Sequence, residues 1–116
     1  MFLEMAHTKL DVFRVSREFI LACYKKTKHF PPEEKFAITQ QIRRAALSVH
    51  LNIAEGCSRK SIAERKRFYE IARGSVIEID TAFDISITLG YTTNENLREL
   101  GTLLIRSFQL ISKMIS

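Results

Sequence analysis

Apolar residues return every third or fourth position along almost the whole chain, and glycine and proline hardly interrupt them. Only 4 Gly and 2 Pro occur in 116 residues. Spacing of i, i+3, i+4, i+7 puts side chains on one face of a helix, whereas a half-buried strand needs alternation at every second residue. No segment alternates for long enough to argue for a strand. The chain is thereby constrained to a few long amphipathic helices that must bury their stripes against one another.

Four stripes are present. Val12, Phe13, Ser16, Phe19, Ile20, Cys23, Tyr24 and Thr27 share a face of a helix over about residues 9–29. Phe30-Pro31-Pro32 ends it, because a residue before proline is driven out of the helical region. Pro32 suits the first turn of a second helix, about 33–55, with Glu33 and Glu34 at its positive end. Ile38, Ile42, Ala45, Ala46, Val49 and Ile53 form that stripe, and Gly56 is placed to stop it. Ser61 and Glu64 have capping-box spacing at the start of a third helix, about 61–89. There Phe68, Ala72, Ser75, Val76, Ile79, Ala82, Phe83 and Ser86 align, with Tyr69 and Ile87 on the border and Gly90 as the stop. Thr92 and Glu95 repeat the box spacing before a fourth helix, about 93–114, carrying Leu97, Leu100, Leu103, Leu104, Ile111 and Met114. Connections of about 4–8 residues favour antiparallel neighbours. The expectation is one all-α domain over residues 1–116, an up-down-up-down antiparallel four-helix bundle.

Composition, at 46% hydrophobic and 27% charged, is that of an ordinary globular domain. No uninterrupted apolar run reaches membrane-spanning length. The opening MFLEMAHTKLD carries Glu4 and lacks the basic-then-apolar order of a secretory signal. Cys23 and Cys57 are unpaired by any CxxC spacing and read as small core or surface thiols in a reducing compartment. The location expected is cytoplasmic, without a membrane partner.

Catalytic chemistry finds little support. His7, His29 and His50 fall at a terminus, a helix end and a helix flank, with no HxxxH or ExxH pair for a metal. Asp80 and Asp84, one turn apart, read as a solvated face. Gly74 in mid-helix costs about 1 kcal/mol relative to alanine, and close packing of another helix is its expected reason. Neither cofactor nor metal is expected, and the chain reads as no enzyme.

The second helix carries more than its core stripe needs. Wound at about 100° per residue, it places Gln41, Arg44, Ser48, Asn52 and Glu55 on one flank and Arg43 and His50 on the other. Opposite the core lies a second apolar strip, Leu47, Leu51 and Ala54. Leu10 and Leu21 on the first helix, and Ile77 and Ile85 on the third, are also off the core face. A strip of this kind beside polar residues fits a partner surface, with Arg43, Arg44, Leu47, Leu51, Asn52 and Glu55 as oligomer or structural contacts.

Gln41-Ile42-Arg43-Arg44-Ala45-Ala46, then Ser48, then Asn52-Ile53-Ala54-Glu55-Gly56, resembles the signature of the bacterial four-helix-bundle family encoded in 23S ribosomal RNA intervening sequences. The likeness extends back through Tyr24, Thr27, Phe30-Pro31 and Glu34, and forward through Arg59, Phe68, Ala72-Arg73-Gly74-Ser75, Glu78 and Leu89-Gly90. His50-Leu51 stands where such proteins often have proline–serine, Phe13 where tryptophan is frequent, and Ala37 where glycine is common. The resemblance implies a four-helix bundle, commonly a ring-shaped homopentamer, with no established enzyme activity. It also implies kinship with accessory proteins of diversity-generating retroelements, which bind RNA and a reverse transcriptase through a basic surface.

Charge points the same way. From Arg43 to Arg73 eight basic residues face three acidic ones, so this stretch alone carries the +5 of the whole chain. Arg59, Lys60, Arg65, Lys66, Arg67 and Arg73 are the candidate nucleic-acid contacts, the clustering of cations on one end being the footprint of phosphate binding. No base-reading sheet motif accompanies them, so backbone and shape of a structured RNA would be recognised. The expected function is a non-catalytic, oligomeric, RNA-associated protein. The alternative is an interaction scaffold or adaptor for a reverse transcriptase or other polymerase.

Overall fold

The computed structural model describes residues 2–116. Its four helices are α1 (Asp11–Thr27), α2 (Ile38–Ser58), α3 (Ile62–Thr88) and α4 (Arg98–Ile115), with short 3-10 turns at Ala6–Lys9 and Pro32–Glu34. Each helix packs on the next and α4 closes against α1, giving the expected all-α four-helix architecture. The body measures 44 × 28 × 25 Å. At 27 residues, α3 runs about 40 Å and spans its length.

The core is the meeting of the four stripes. Phe19, Ile42, Ile53, Ile79 and Ile111 are fully buried at its centre. Cys23 is sealed among them, and burial pushes its thiol up to about 12, so it stays protonated and inert. Ser107 is also fully buried, a position on α4 that an apolar pattern cannot flag. At the start of α3 the order of burial is reversed from expectation. Tyr69 is buried while Phe68 is only half-buried, because the Tyr69 ring packs beneath Gly56 and its hydroxyl reaches Cys57 Sγ at 3.5 Å.

Three helix ends differ from the sequence reading. The second helix begins at Ile38 rather than near residue 33, because Pro32–Glu34 is spent in a 3-10 turn. That turn is tied down by the Tyr91 hydroxyl donating to Glu34 Oε2 at 2.9 Å. At its other end α2 runs through Gly56 to Ser58, so Gly56 is no stop. The fourth helix starts at Arg98, and the Thr92–Glu95 box does not form. There the Asn96 N–H donates to Thr93 Oγ1 at 3.0 Å, while Thr92 Oγ1 accepts from the Asn96 side chain. At α3, by contrast, the Glu64 N–H donates to Ser61 Oγ at 3.1 Å, the N-cap bond expected. Its C-terminus closes on Gly90 at φ +81, with Gly90 N–H bonded to the Ile87 carbonyl and Tyr91 N–H to that of Ser86, a Schellman pattern.

The glycines exchange roles. A Cβ on Gly74 would meet nothing within 4 Å, so no helix of this chain crosses there. A Cβ on Gly56 would lie 2.5 Å from Tyr69 Cε1 and 3.2 Å from Phe68 Cβ, so the close approach of α2 to α3 happens at Gly56. Gly56→Ala should therefore cost about 1–2 kcal/mol net, overpacking outweighing the gain in helix propensity. Gly74→Ala should raise monomer stability by about 0.5–1 kcal/mol. Denaturant melts of the two variants check this pair, and a stabilising Gly56→Ala would contradict the packing.

Candidate functional site

The turn from α2 to α3 gathers Arg59, Lys60, Arg65, Lys66 and Arg67. Arg59 leaves α2 in an extended conformation, and its guanidinium lies 5.0 Å from the centre of the Phe68 ring and 3.5 Å from Glu55. Arg67 approaches the same ring at 5.9 Å. Arg65 Nε donates to the Arg59 carbonyl at 2.6 Å, which folds the turn back onto α3. Half-buried Phe68 is thus a platform beneath two guanidiniums. Among the described residues, Lys60, Arg65, Lys66 and Arg67 pair with no carboxylate.

Arg73 stands apart from this turn. Two turns further along α3, it leans toward α4, 3.4 Å from Ser112 Oγ and 6.0 Å from the Phe108 ring centre. Arg106 and Lys113, which the sequence reading left out, line an open groove of about 710 Å³ with Phe108 and Ser112. Their spacing of seven residues puts them on one face of α4, a signal that was present in the sequence. A second groove, about 320 Å³, is lined by His7, Cys57, Arg65, Tyr69 and Met114. The N-terminal turn, the end of α2, the start of α3 and the end of α4 therefore share one basic end. The opposite charge lies further along the chain: residues 74–97 hold Glu78, Asp80, Asp84 and Glu95 and no basic residue.

On α2 the two polar flanks turn out to be seams within the chain. Toward α3, Gln41 donates to Glu78, and the Ser75 hydroxyl donates to Ser48 Oγ at 2.9 Å. Asn52 Nδ2 donates to the Ser48 carbonyl at 2.8 Å and to its Oγ at 3.1 Å, within the helix. Glu55, expected to reach across helices or subunits, pairs locally with Arg59 one turn on. Toward α1, Arg43 Nε donates to Thr27 Oγ1 at 3.0 Å and Nη2 to the Tyr24 carbonyl at 3.3 Å, with the guanidinium over the Tyr24 ring. It caps the carbonyl end of α1 from outside. His50 stacks on Phe13 at 4.0 Å and sits 2.7 Å from Ser16 Oγ. What remains of α2 is the strip through Arg44, Leu47 and Leu51, and Leu51 is 62% exposed.

Residues 8–116 match the family described as 23S rRNA-intervening sequence protein. The chain belongs to that family. Among solved structures it is similar to a protein with unknown function from the S23 ribosomal protein family of Bacteroides thetaiotaomicron. The TM-score is 0.80 with 23% sequence identity, over 90% of this chain and 98% of that one. At that identity the likeness establishes the four-helix fold. No curated protein matches the chain. Among the described residues of this member of the intervening-sequence family, no helix is long and apolar enough to cross a membrane. No group of three or more His, Cys, Asp or Glu suited to a metal occurs among the described residues.

His50 is a pH-sensitive point in the α1–α2 seam. Burial first, then the charges of Arg17 and His7, hold its imidazole below the ordinary 6.5. The unfolded chain then binds the proton more readily than the folded one, so stability is fully present above about pH 6.5 and declines as the pH falls below it. Melting temperatures measured from pH 7.5 to 5 should fall less steeply in His50→Gln than in the wild type. Equal slopes would mean that the ring does not resist protonation.

Proposed function

We propose that this family member is a non-catalytic, oligomeric RNA-associated protein whose basic end holds nucleic-acid backbone. The observation that carries the reading is the cluster Lys60, Arg65, Lys66 and Arg67, unpaired among the described residues and projecting from a turn braced by Arg59 and Phe68. Cations not satisfied by their own chain are available to phosphates, and each contact releases counterions. With neither a sheet nor an aromatic row to read bases, such a surface grips backbone and shape. Arg73, Arg106 and Lys113 extend it along the α3–α4 face.

Assembly is part of the same proposal. The exposed area of 7500 Å² exceeds the roughly 6,500 Å² expected of a folded monomer of 13.4 kDa. Part of the excess is apolar and arranged in two faces of unlike charge. One is Leu47 and Leu51 beside Arg44. The other surrounds open Gly74 on α3, with exposed Ile77 and Ile85 beside Glu70, Glu78 and Asp84. Two different faces meeting head to tail make a heterologous contact, which closes into a ring under cyclic symmetry. A homopentamer is the size that the family resemblance implies. A ring multiplies the basic end by the subunit number, and several simultaneous contacts raise avidity by orders of magnitude.

The rival is an adaptor that docks an acidic protein, such as a reverse transcriptase of the retroelement kind, through the same cations. Filter binding to a structured RNA across salt concentrations decides between them. RNA association predicts a steep fall of affinity with salt and a slope shallower by about 2–3 when Arg65, Lys66 and Arg67 are all alanine. Absence of RNA binding at low salt would reject the RNA reading and leave the adaptor.

For the assembly, Leu51→Glu should bury an unpaired charge in the contact, dissociating the oligomer while sparing helix content. Light scattering reads the mass. A wild-type protein running at 13.4 kDa at micromolar concentration would refute the ring.

A further inference from the structure

At the end of the bundle opposite the basic turn, the C-terminus of α1 and the N-terminus of α2 enclose a groove of about 300 Å³. Three cations line it, Lys35, Arg43 and Arg44, and no carboxylate does. Arg43 is already fixed in place by Thr27 and the Tyr24 carbonyl and stacked on the Tyr24 ring, which leaves its Nη1 hydrogens for a ligand. A guanidinium immobilised by its own chain loses little entropy on binding an anion.

The same groove holds groups that lack partners. Thr39, which lines it, is only 8% exposed, and its hydroxyl, buried in the groove wall, has no hydrogen-bond partner. The first backbone bond of α2 runs from the Gln41 N–H to the Ala37 carbonyl at 2.9 Å, so the amides of Ile38, Thr39 and Gln40 form the positive end of a 21-residue helix. Phe36 lies on the rim and is 80% exposed, with Lys35 Nζ 5.4 Å from its ring centre and the other ring face open.

The geometry points to a binding site for a single phosphorylated nucleoside, with phosphate on Lys35 and Arg43 and the base against Phe36; Arg44 and Leu47, which also line the groove, belong to the subunit face proposed above. A bare inorganic anion would use the cations and leave the Phe36 ring idle. An acidic side chain would do the same. A phosphate joined to a flat ring uses both, and the volume lies at the lower bound of about 300 Å³ for small-ligand pockets, enough for one nucleotide and too little for a duplex. Two sources carry that chemistry, a free nucleotide and one unpaired position of a strand. The site does not depend on the basic end, which lies at the other pole of the bundle.

Calorimetric titrations of the full chain with AMP, adenosine, inorganic phosphate and a 5′-phosphorylated tetra-adenylate RNA test it. AMP should saturate at one per chain and bind tighter than adenosine or phosphate alone. Phe36→Ala should weaken AMP by roughly tenfold, the usual loss of one stacking contact. Lys35→Ala should weaken it and flatten its salt dependence. Both positions are exposed and outside the Leu47–Leu51 strip, so circular dichroism and light scattering should match the wild type. Replacing Arg65, Lys66 and Arg67 by alanine should leave AMP binding intact, which keeps this site distinguishable from the basic end. A tetranucleotide tighter than AMP assigns the strand as the source, and equal affinity assigns the free nucleotide. No saturable AMP binding, or AMP binding unchanged in Phe36→Ala, overturns the proposal.

Discussion

Helix α2 is gripped on three sides, and the rest of the molecule is arranged by that grip. Its apolar stripe is buried in the core. One flank is hydrogen-bonded to α3 through Gln41 and Ser48. The other is bonded to α1 through Arg43 and His50. A helix bonded along both flanks cannot rotate about its axis without breaking these contacts, of which the part-buried ones at Ser48, Arg43 and His50 are costly to leave unmade. The orientation of α2 is therefore fixed, and with it the exposed strip of Leu47 and Leu51. Gly56 completes the grip by letting the α3 backbone approach where a methyl group would strike Tyr69.

The seams also explain why charged and polar residues sit so near the core. Arg43 is half-buried without a carboxylate, yet it is not an orphan. It meets the negative end of α1, where unpaired carbonyls gather, and it lies flat on an aromatic face. Ser48, Asn52 and Ser75 satisfy one another in a short chain at the α2–α3 contact, where small side chains let two helices run close. Such contacts add little net energy each but reject other registers, since a helix slipped by one residue would bury these groups unpaired.

Most of the core was legible in the sequence because burial follows the helical period, and the period survives every tertiary detail. The whole α1 stripe is buried apart from half-exposed Tyr24. What the period cannot give is the identity of the neighbour. Gly56 and Gly74 look alike as interruptions of apolar helices, and only the crossing of α2 with α3 shows which one is pressed. Tyr69 and Phe68 straddle the edge of one stripe, and the space beneath Gly56 decides between them. The same limit applies to the candidate site. Arg59 through Arg67 are neighbours because they share a turn, which sequence proximity conveys. Arg106 and Lys113 lie on α4, far along the chain from that turn, and only the fold brings α4 beside it, whereas Glu55 is withdrawn by Arg59 at i, i+4, a spacing the sequence carries.

The distribution of charge has one further consequence for how such a domain works. The core is filled by aliphatic and aromatic side chains, so recognition falls to the ends and faces of the bundle. Cations gather where α2 passes into α3, and carboxylates occupy α3 beyond Gly74 without a base among them. At physiological salt, exposed charges are screened beyond about 8 Å, so the two regions act as separate surfaces even though one helix carries both. The potential is positive at the start of α3 and negative further along the same helix. A 27-residue helix gives the two surfaces enough length to stand apart, and its exposed mid-point glycine costs stability that nothing within the chain returns.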